Sequence, residues 1–334
     1  MAPLFPPSPS AARVPLLNSA CPWASSAEDL QALWDCESTQ AVTTRTCTLN
    51  GFEDDASKHQ VAFFGPAAQS SSNSFGYSPF PLAQCLDWIR SLLSTANAKK
   101  KKTKQVIVSV TGTLDETEEM LRRLQAFATE QGIVLAVEFN ASCPNFRGHP
   151  PPAYVESELA SFFRLLAKHA SPTLNVGVKL PPYTYDGQFD AVVGALEAVK
   201  GGGKGEHPLS FLTATNTLGQ GLVFGEQIEE VSTSSVAQKK KADLFALPGG
   251  WGGLAGAAIH QTSLGNIYRL SLLLNSSADK RLKSIALIGV GGAHDAASVE
   301  RFRRAGASAV ACATALGREG VAVFAKMAQP LPKL

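Results

Sequence analysis

The chain has 334 residues, enough for about two domains of ordinary size or for one large α/β barrel. It is 45% hydrophobic and 17% charged with a mean hydropathy of +0.02, which supplies a large core and excludes extended disorder, a collagen-like repeat and a disulfide scaffold. Lysine and arginine number 30 against 28 acidic residues, and a net charge of +2 gives no global field for nucleic acid.

Residues 1–13 are Pro-rich and expected to be disordered; from 14 onward short apolar runs alternate with longer amphipathic ones. The spacing predicts a strand at 14–20 (VPLLNSA), a helix at 27–36 and a strand at 41–48 (AVTTRTCT). A long stretch rich in Ser, Gly, Pro and aromatics (51–81) then leads into a helix at 81–96. The third strand, 105–112 (QVIVSVTG), precedes a helix at 114–131, which opens on a Thr113-x-x-Glu116 capping box and carries Leu121, Leu124, Phe127 and Ala128 on one face. A strand at 136–143 (AVEFNASC) is followed by a helix at 154–170, with Leu159, Phe162, Phe163 and Leu166 at helical spacing. Next come a strand at 175–180 (NVGVKL), a helix at 188–199 and a strand at 211–219 (FLTATNTLG). A second long stretch, 225–248, includes Lys239, Lys240 and Lys241 and precedes a helix at 260–274. The last units are a strand at 284–292 (SIALIGVGG), a helix at 295–304, a strand at 308–316 (SAVACATAL) and a helix at 319–328.

Eight strands with eight following helices define a single (β/α)8 TIM barrel over 14–334. Most strands begin apolar and end in small or polar residues, as a parallel strand buried on both faces does when its carboxyl end is functional. Both long stretches fall on that side, as long strand-to-helix loops. The lysines 99–102 with Lys104 lie at the opposite end and read as a solvated loop, with an anion patch or nuclear targeting as the other readings.

Cys21, Cys36, Cys47, Cys85, Cys143 and Cys312 form no CxxC pair and no Cys/His cluster, which excludes the ordinary zinc and iron–sulfur spacings and suits a reducing, cytoplasmic setting. No apolar run is long enough to span a bilayer, and MAPLFPPSPS lacks the pattern of a secretory signal. Gly289-Val-Gly291-Gly292-Ala-His294 begins like a dinucleotide fingerprint but has His294 at the third glycine position. In a barrel, glycines after strand seven and the turn after strand eight form the usual phosphate cradle; Gly291, Gly292 and Thr314 occupy those places, with turn glycines and a core Thr as the bland alternative.

The fourth strand ends in Asn140, Cys143 and Asn145, around a turn fixed by Pro144. A lone Cys is usually a small buried hydrophobe, but two flanking amides orient a polar ligand towards this one. Lys179 sits inside an apolar strand, where a charge is costly unless it meets an anion. Thr215-Asn216-Thr217 and the loop Asn73-Ser-Phe75-Gly76 add further amides. Closed into a barrel, this array suits a planar, amide-rich, anionic ligand.

At these residues the chain resembles the dihydroorotate dehydrogenases, most closely their class 1 soluble, fumarate-linked branch. The motifs that carry the resemblance are NASCPN (140–145), GVKLPPY (177–183), TNTLGQGL (215–222), GGWGGLAG (249–256), GVGG (289–292) and ATALGREG (313–320), in order over nearly the whole chain. The resemblance implies an FMN-binding barrel, a homodimer in the cytoplasm, dihydroorotate and orotate as substrate and product in pyrimidine synthesis, and fumarate as electron acceptor. It implies that Cys143 is the general base and that Lys179 contacts the flavin. Arg45, Asn73, Phe75, Gly76, Asn140, Asn145, Asn216 and Thr217 would hold the pyrimidine. Ala20, Arg45, Thr46, Asn140, Lys179, Thr215, Gly256, Gly291, Gly292, Ala313 and Thr314 would hold the cofactor. Three departures stand out: Arg45 where the family carries a Lys, Ser19-Ala20-Cys21 where it carries Ala-Ser-Gly, and Ala313 before Thr314 where it carries Gly. A flavin barrel acting on another dihydropyrimidine, or a pyrimidine-binding paralogue with impaired turnover, are the alternatives. An RNA-dihydrouridine synthase would call for a basic helical appendage that this chain lacks.

Overall fold

The computed structural model describes residues 4–5, 14–98, 104–142, 150–203, 205–231 and 244–331. In chain order these form β1 (Leu16–Asn18), α1 (Ala27–Asp35), β2 (Ala41–Thr43), β3 (Val61–Phe64), β4 (Ser70–Asn73) and α2 (Leu82–Ala98). Next come β5 (Gln105–Val110), α3 (Leu114–Gln131), β6 (Leu135–Asn140), α4 (Glu156–His169), β7 (Leu174–Leu180), α5 (Asp186–Glu197) and β8 (Leu209–Ala214). The remainder is β9 (Leu218–Leu222), β10 (Trp251–Gly256), α6 (His260–Ser276), β11 (Ala286–Val290), α7 (Ala296–Ala305), β12 (Ala309–Cys312), α8 (Thr314–Glu319) and α9 (Val323–Met327).

Eight strands pair in parallel in the order β1-β12-β11-β8-β7-β6-β5-β2, with helices outside: the predicted α/β TIM barrel. Strand alternation divides the core in two. Val106, Val108 and Val110 of β5, or Val176, Val178 and Leu180 of β7, face the helices and join Leu121, Leu124 and Phe163. The other alternation turns Leu17, Ala41, Ile107, Ala136, Phe211, Ile288, Ala309 and Ala311 into a second cluster enclosed by the strands, which Leu4 and Phe5 join. The seam between β1 and β2 is closed by a backbone bond from Gln40 N to Leu16 O at 2.9 Å together with side-chain amides. Asn18 Nδ2 donates to Thr43 O at 2.6 Å and its Oδ1 accepts from Thr43 N at 2.9 Å, while Gln40 Oε1 accepts from Leu16 N at 2.8 Å.

The capping box on α3 is present, and Gly132 ends that helix in the left-handed region. Lys104 departs from the solvated reading: its ammonium donates to the Leu33 and Cys36 carbonyls and to Thr39 Oγ1, placing a cation at the carboxyl end of α1. The lysines 99–102 lie outside the described residues. The last two predicted units are also revised. The 308–316 run is a short β12 followed, after Ala313, by α8, and the final helix is interrupted at Gly320, whose φ of 63° is left-handed.

The first long stretch is more than an open loop; of the second, residues 232–243, with Lys239, Lys240 and Lys241, lie outside the described residues. Residues 51–81 contain the hairpin β3–β4, and β4 pairs with β10, which pairs with β9, in a four-stranded antiparallel sheet. The predicted strand at 211–219 accordingly divides into β8 and β9. A small core of Ala62, Val223, Ile228, Ala246 and Leu247 supports this sheet. Its register sets Asn73 opposite Gly253 and Ser70 opposite Gly256, which brings both ends of the sheet to the carboxyl mouth of the barrel.

Candidate active site

A cavity of about 910 Å³, counted out to its open mouth, sits at the carboxyl ends of the barrel strands. Its wall is built from strand ends and the added sheet. β1 gives way to Ser19 and Ala20, the residues after β2 give Arg45 and Thr46, and β6 and β7 give Asn140 and Lys179. The segment after β8 gives Thr215, Asn216 and Thr217, and the added sheet gives Ser71, Asn73 and Gly256 with Phe75 and Gly76 beyond it. Gly291, Gly292, Ala313 and Thr314 close the far side. Every described residue that the sequence assigned to the substrate or the cofactor is therefore on this one wall. Cys143 and Asn145 lie outside the described residues.

Lys179 is 4% exposed, and among the described residues its ammonium meets only neutral acceptors, Ser19 Oγ at 2.9 Å and Ala20 O at 3.5 Å. A buried cation so placed is stabilised by an electron-rich or anionic group in the cavity. The amide wall is a directed network. Asn140 Nδ2 donates to Thr46 Oγ1 at 3.1 Å, Thr46 Oγ1 lies 3.0 Å from Ser109 Oγ, and Ser109 Oγ donates to Glu138 Oε1 at 3.2 Å. Asn140 Oδ1 accepts from Ser142 Oγ at 3.1 Å and from Asn216 Nδ2 at 3.2 Å. The buried Glu138 carboxylate thus polarises the hydroxyls and holds the Asn140 amide in one orientation.

The far side is a backbone cradle. Gly291 and Gly292 have φ of 129° and 75°, and a Cβ at Gly291 would collide with Ser263 Oγ. A Cβ at Gly256 would collide with the Gln69 carbonyl, so three backbones approach here as no side-chain-bearing residue allows. Ser71 Oγ lies 2.8 Å from Thr314 Oγ1 and ties the added sheet to α8. Behind the cradle His260 Nδ1 donates to Gly291 O at 2.7 Å and its Nε2 accepts from Arg301 Nε at 3.0 Å. Both bonds fit a neutral imidazole, and burial is the main cause that holds its pKa below the ordinary value. This exposed-backbone turn, with Thr314, Arg318 and His294 around a smaller adjoining cavity, suits a phosphate group.

Arg45 is 7% exposed; its Nη2 donates to Gly76 O at 3.2 Å and its guanidinium lies 5.5 Å from the centre of the Phe75 ring. Cys21 also lines the cavity, where burial pushes its thiol up to about 12 despite Lys179 nearby, so it stays a neutral thiol. Ser71, Trp23 and Tyr77 are wall residues that the sequence reading did not single out. Ser71 could have been found by alternation from Asn73 once 70–73 was read as a strand; nothing local marks Trp23 or Tyr77.

A parallel barrel with a backbone cradle after β11 and β12, a buried lysine and an amide wall, all on one cavity, has the architecture of a barrel enzyme for a small polar ligand. The sequence profile of the family described as dihydroorotate dehydrogenase matches residues 69–334, and the chain belongs to that family of oxidoreductases. Among similar proteins, the dihydroorotate dehydrogenase (fumarate) of Trypanosoma cruzi is 29% identical over 319 residues, covering 95% of this chain and 88% of that one. A Streptococcus equi protein, provisionally named dihydroorotate dehydrogenase A (fumarate), is 30% identical over 318 residues with the same coverages, 95% and 88%. The dihydroorotate dehydrogenase (fumarate) of Trypanosoma brucei is 26% identical over 322 residues, 96% of this chain and 89% of that one.

Proposed function

We propose that the protein oxidises dihydroorotate to orotate with FMN as its resident cofactor and fumarate as the acceptor, as a cytoplasmic homodimer serving pyrimidine synthesis. The observation that carries this is the one cavity in which the buried Lys179, without a carboxylate partner among the described residues, the Asn140–Asn216 amide wall and the Gly291–Gly292 cradle meet. The cradle fits a phosphate monoester, and the Lys179 ammonium fits the electron-accepting end of a flavin ring. The names of the trypanosomal relatives support fumarate. Among the described residues no helix is long and apolar enough to cross a membrane.

When bound, FMN supplies a two-electron acceptor. The protein's part is orientation and charge. Asn73, Asn140 and Asn216, with Asn145, present amides to the pyrimidine ring edge, and Arg45 takes the ring carboxylate. Cys143 removes the C5 proton, which requires its thiolate, a minor species for a free thiol at neutral pH. Lys179 offsets the negative charge that arrives beside it. Leu222 and Trp251, cross-strand partners that are 50% and 47% exposed, give the added sheet an apolar edge that a second copy would cover. The test is anaerobic: purified protein should be yellow, and dihydroorotate should bleach it in the wild type but slower by about 10²–10⁴ in Cys143→Ala. Colourless protein that FMN does not restore, or bleaching by dihydrouracil and not by dihydroorotate, would remove this reading.

A further inference from the structure

The segment between β2 and β3 sets a carboxylate beside the same guanidinium that Phe75 and Gly76, after β4, hold. Among the contacts of Arg45 are two neutral groups, the Gly76 carbonyl and the Phe75 ring. Another neighbour is Asp54, whose Oδ2 lies 3.8 Å from Arg45 Nη1, close enough for attraction but beyond a hydrogen bond. Asp54 has its own anchor, since its Oδ1 lies 2.8 Å from His59 Nδ1. The same ring nitrogen lies 2.9 Å from Asp55 N. It can accept from the Asp55 N–H or, in the tautomer with its proton on Nδ1, donate to Asp54. The side chains of Arg45 and Asp54 are 8% and 29% exposed, so water screens their attraction incompletely.

We infer that Asp54 is a specificity-determining counter-ion of this site: it holds Arg45 while the cavity lacks an anion and competes with the ligand's carboxylate for it. The inference rests on the reading above, in which Arg45 faces the carboxylate of the pyrimidine. An anion entering beside Arg45 meets a second negative charge, which weakens its binding and speeds release of the anionic product. A ring without a carboxylate does not meet that repulsion. The Gly76 carbonyl and the Phe75 ring keep Arg45 in place when Asp54 is neutralised, so the sign of the effect is set by charge.

Calorimetric titration of the FMN-loaded protein with orotate and with uracil, the same ring without the carboxylate, tests this. Asp54→Asn should tighten orotate about two- to fivefold, the size of a partly exposed ion pair, and leave uracil unchanged. Asp54→Glu should keep wild-type affinity for both. The gain should vanish when Arg45→Ala is already present, as a double-mutant cycle requires. Unchanged or weaker orotate binding in Asp54→Asn overturns the inference, as does an equal gain for uracil or a gain that persists without Arg45. If Arg45→Ala alone leaves orotate binding untouched, the assignment of Arg45 to the carboxylate fails first. Wild-type protein that binds neither compound removes the functional reading and this inference with it.

Discussion

Asn140 and Asn216 show how a single side chain acquires a role here. Asn216 Nδ2 donates both to Asn140 Oδ1 and, at 3.0 Å, to Ser142 Oγ, while its own Oδ1 accepts from Thr217 N at 2.8 Å. Each amide thus spends part of its capacity on the other and offers the remainder to the cavity. Removing one leaves a buried partner unpaired, at roughly 1–3 kcal/mol. Asn140→Ala and Asn216→Ala should each weaken orotate binding by about ten- to a hundredfold, read by titration of the FMN-loaded protein. Wild-type affinity in both variants would mean that the pyrimidine sits elsewhere. The asparagines themselves were legible in the sequence, because amides after apolar strands have no place in a core. Their mutual orientation was not, because it depends on Ser109 and Glu138 from two strands whose polar residues looked like isolated exceptions.

Elements contribute through their edges. The barrel closes between β1 and β2, where short strands leave backbone groups to be met by the Asn18 and Gln40 side chains. Asn18 is fully buried, and its amide satisfies both the N–H and the C=O of Thr43. Asn18→Ala should destabilise the protein by about 1–3 kcal/mol in denaturant titration, and Asn18→Asp, which keeps the acceptor for Thr43 N but sets a second acceptor against Thr43 O in a buried site, should lose at least as much. Equal stability of Asn18→Ala and wild type would show that the seam does not depend on this residue. The added sheet illustrates the opposite case. The Ser-Ser-Ser-Asn run of β4 has little of the β-branched or aromatic character that marks a strand, and its partner β10 lies about 180 residues further along the chain, as Asn73 opposite Gly253 shows. No local pattern announces such a pairing.

At the scale of the whole molecule, two buried histidines link folding to pH. His207 Nε2 donates to Leu196 O at 3.1 Å and its Nδ1 accepts from Leu209 N at 3.1 Å, which fits a neutral ring, as at His260. Burial is the largest cause lowering the pKa of both below the ordinary 6.5. Below about 6.5 the unfolded chain therefore binds protons that the folded one refuses, so stability is full above that pH and falls as the pH drops towards the folded-state values. Calorimetry from about pH 7.5 to 5 should show the midpoint falling, and His207→Gln should flatten part of that slope. Parallel curves for variant and wild type would assign the acid sensitivity to other groups.

Alternation of apolar strands with amphipathic helices determined the barrel from the sequence alone, because each unit buries one face locally and eight such units close only one way. The same reading set the candidate residues at the carboxyl ends, where the described ones line one cavity, since a charge or amide inside an apolar strand is tolerated only where a ligand or partner meets it. Tertiary structure alone decided the rest: the seam amides, the hairpin that becomes part of a four-stranded sheet, and the Asp54 carboxylate set beside Arg45. These depend on pairings between residues far apart in the chain or on loop geometry, and neither hydrophobic period nor turn chemistry encodes a distance of that kind.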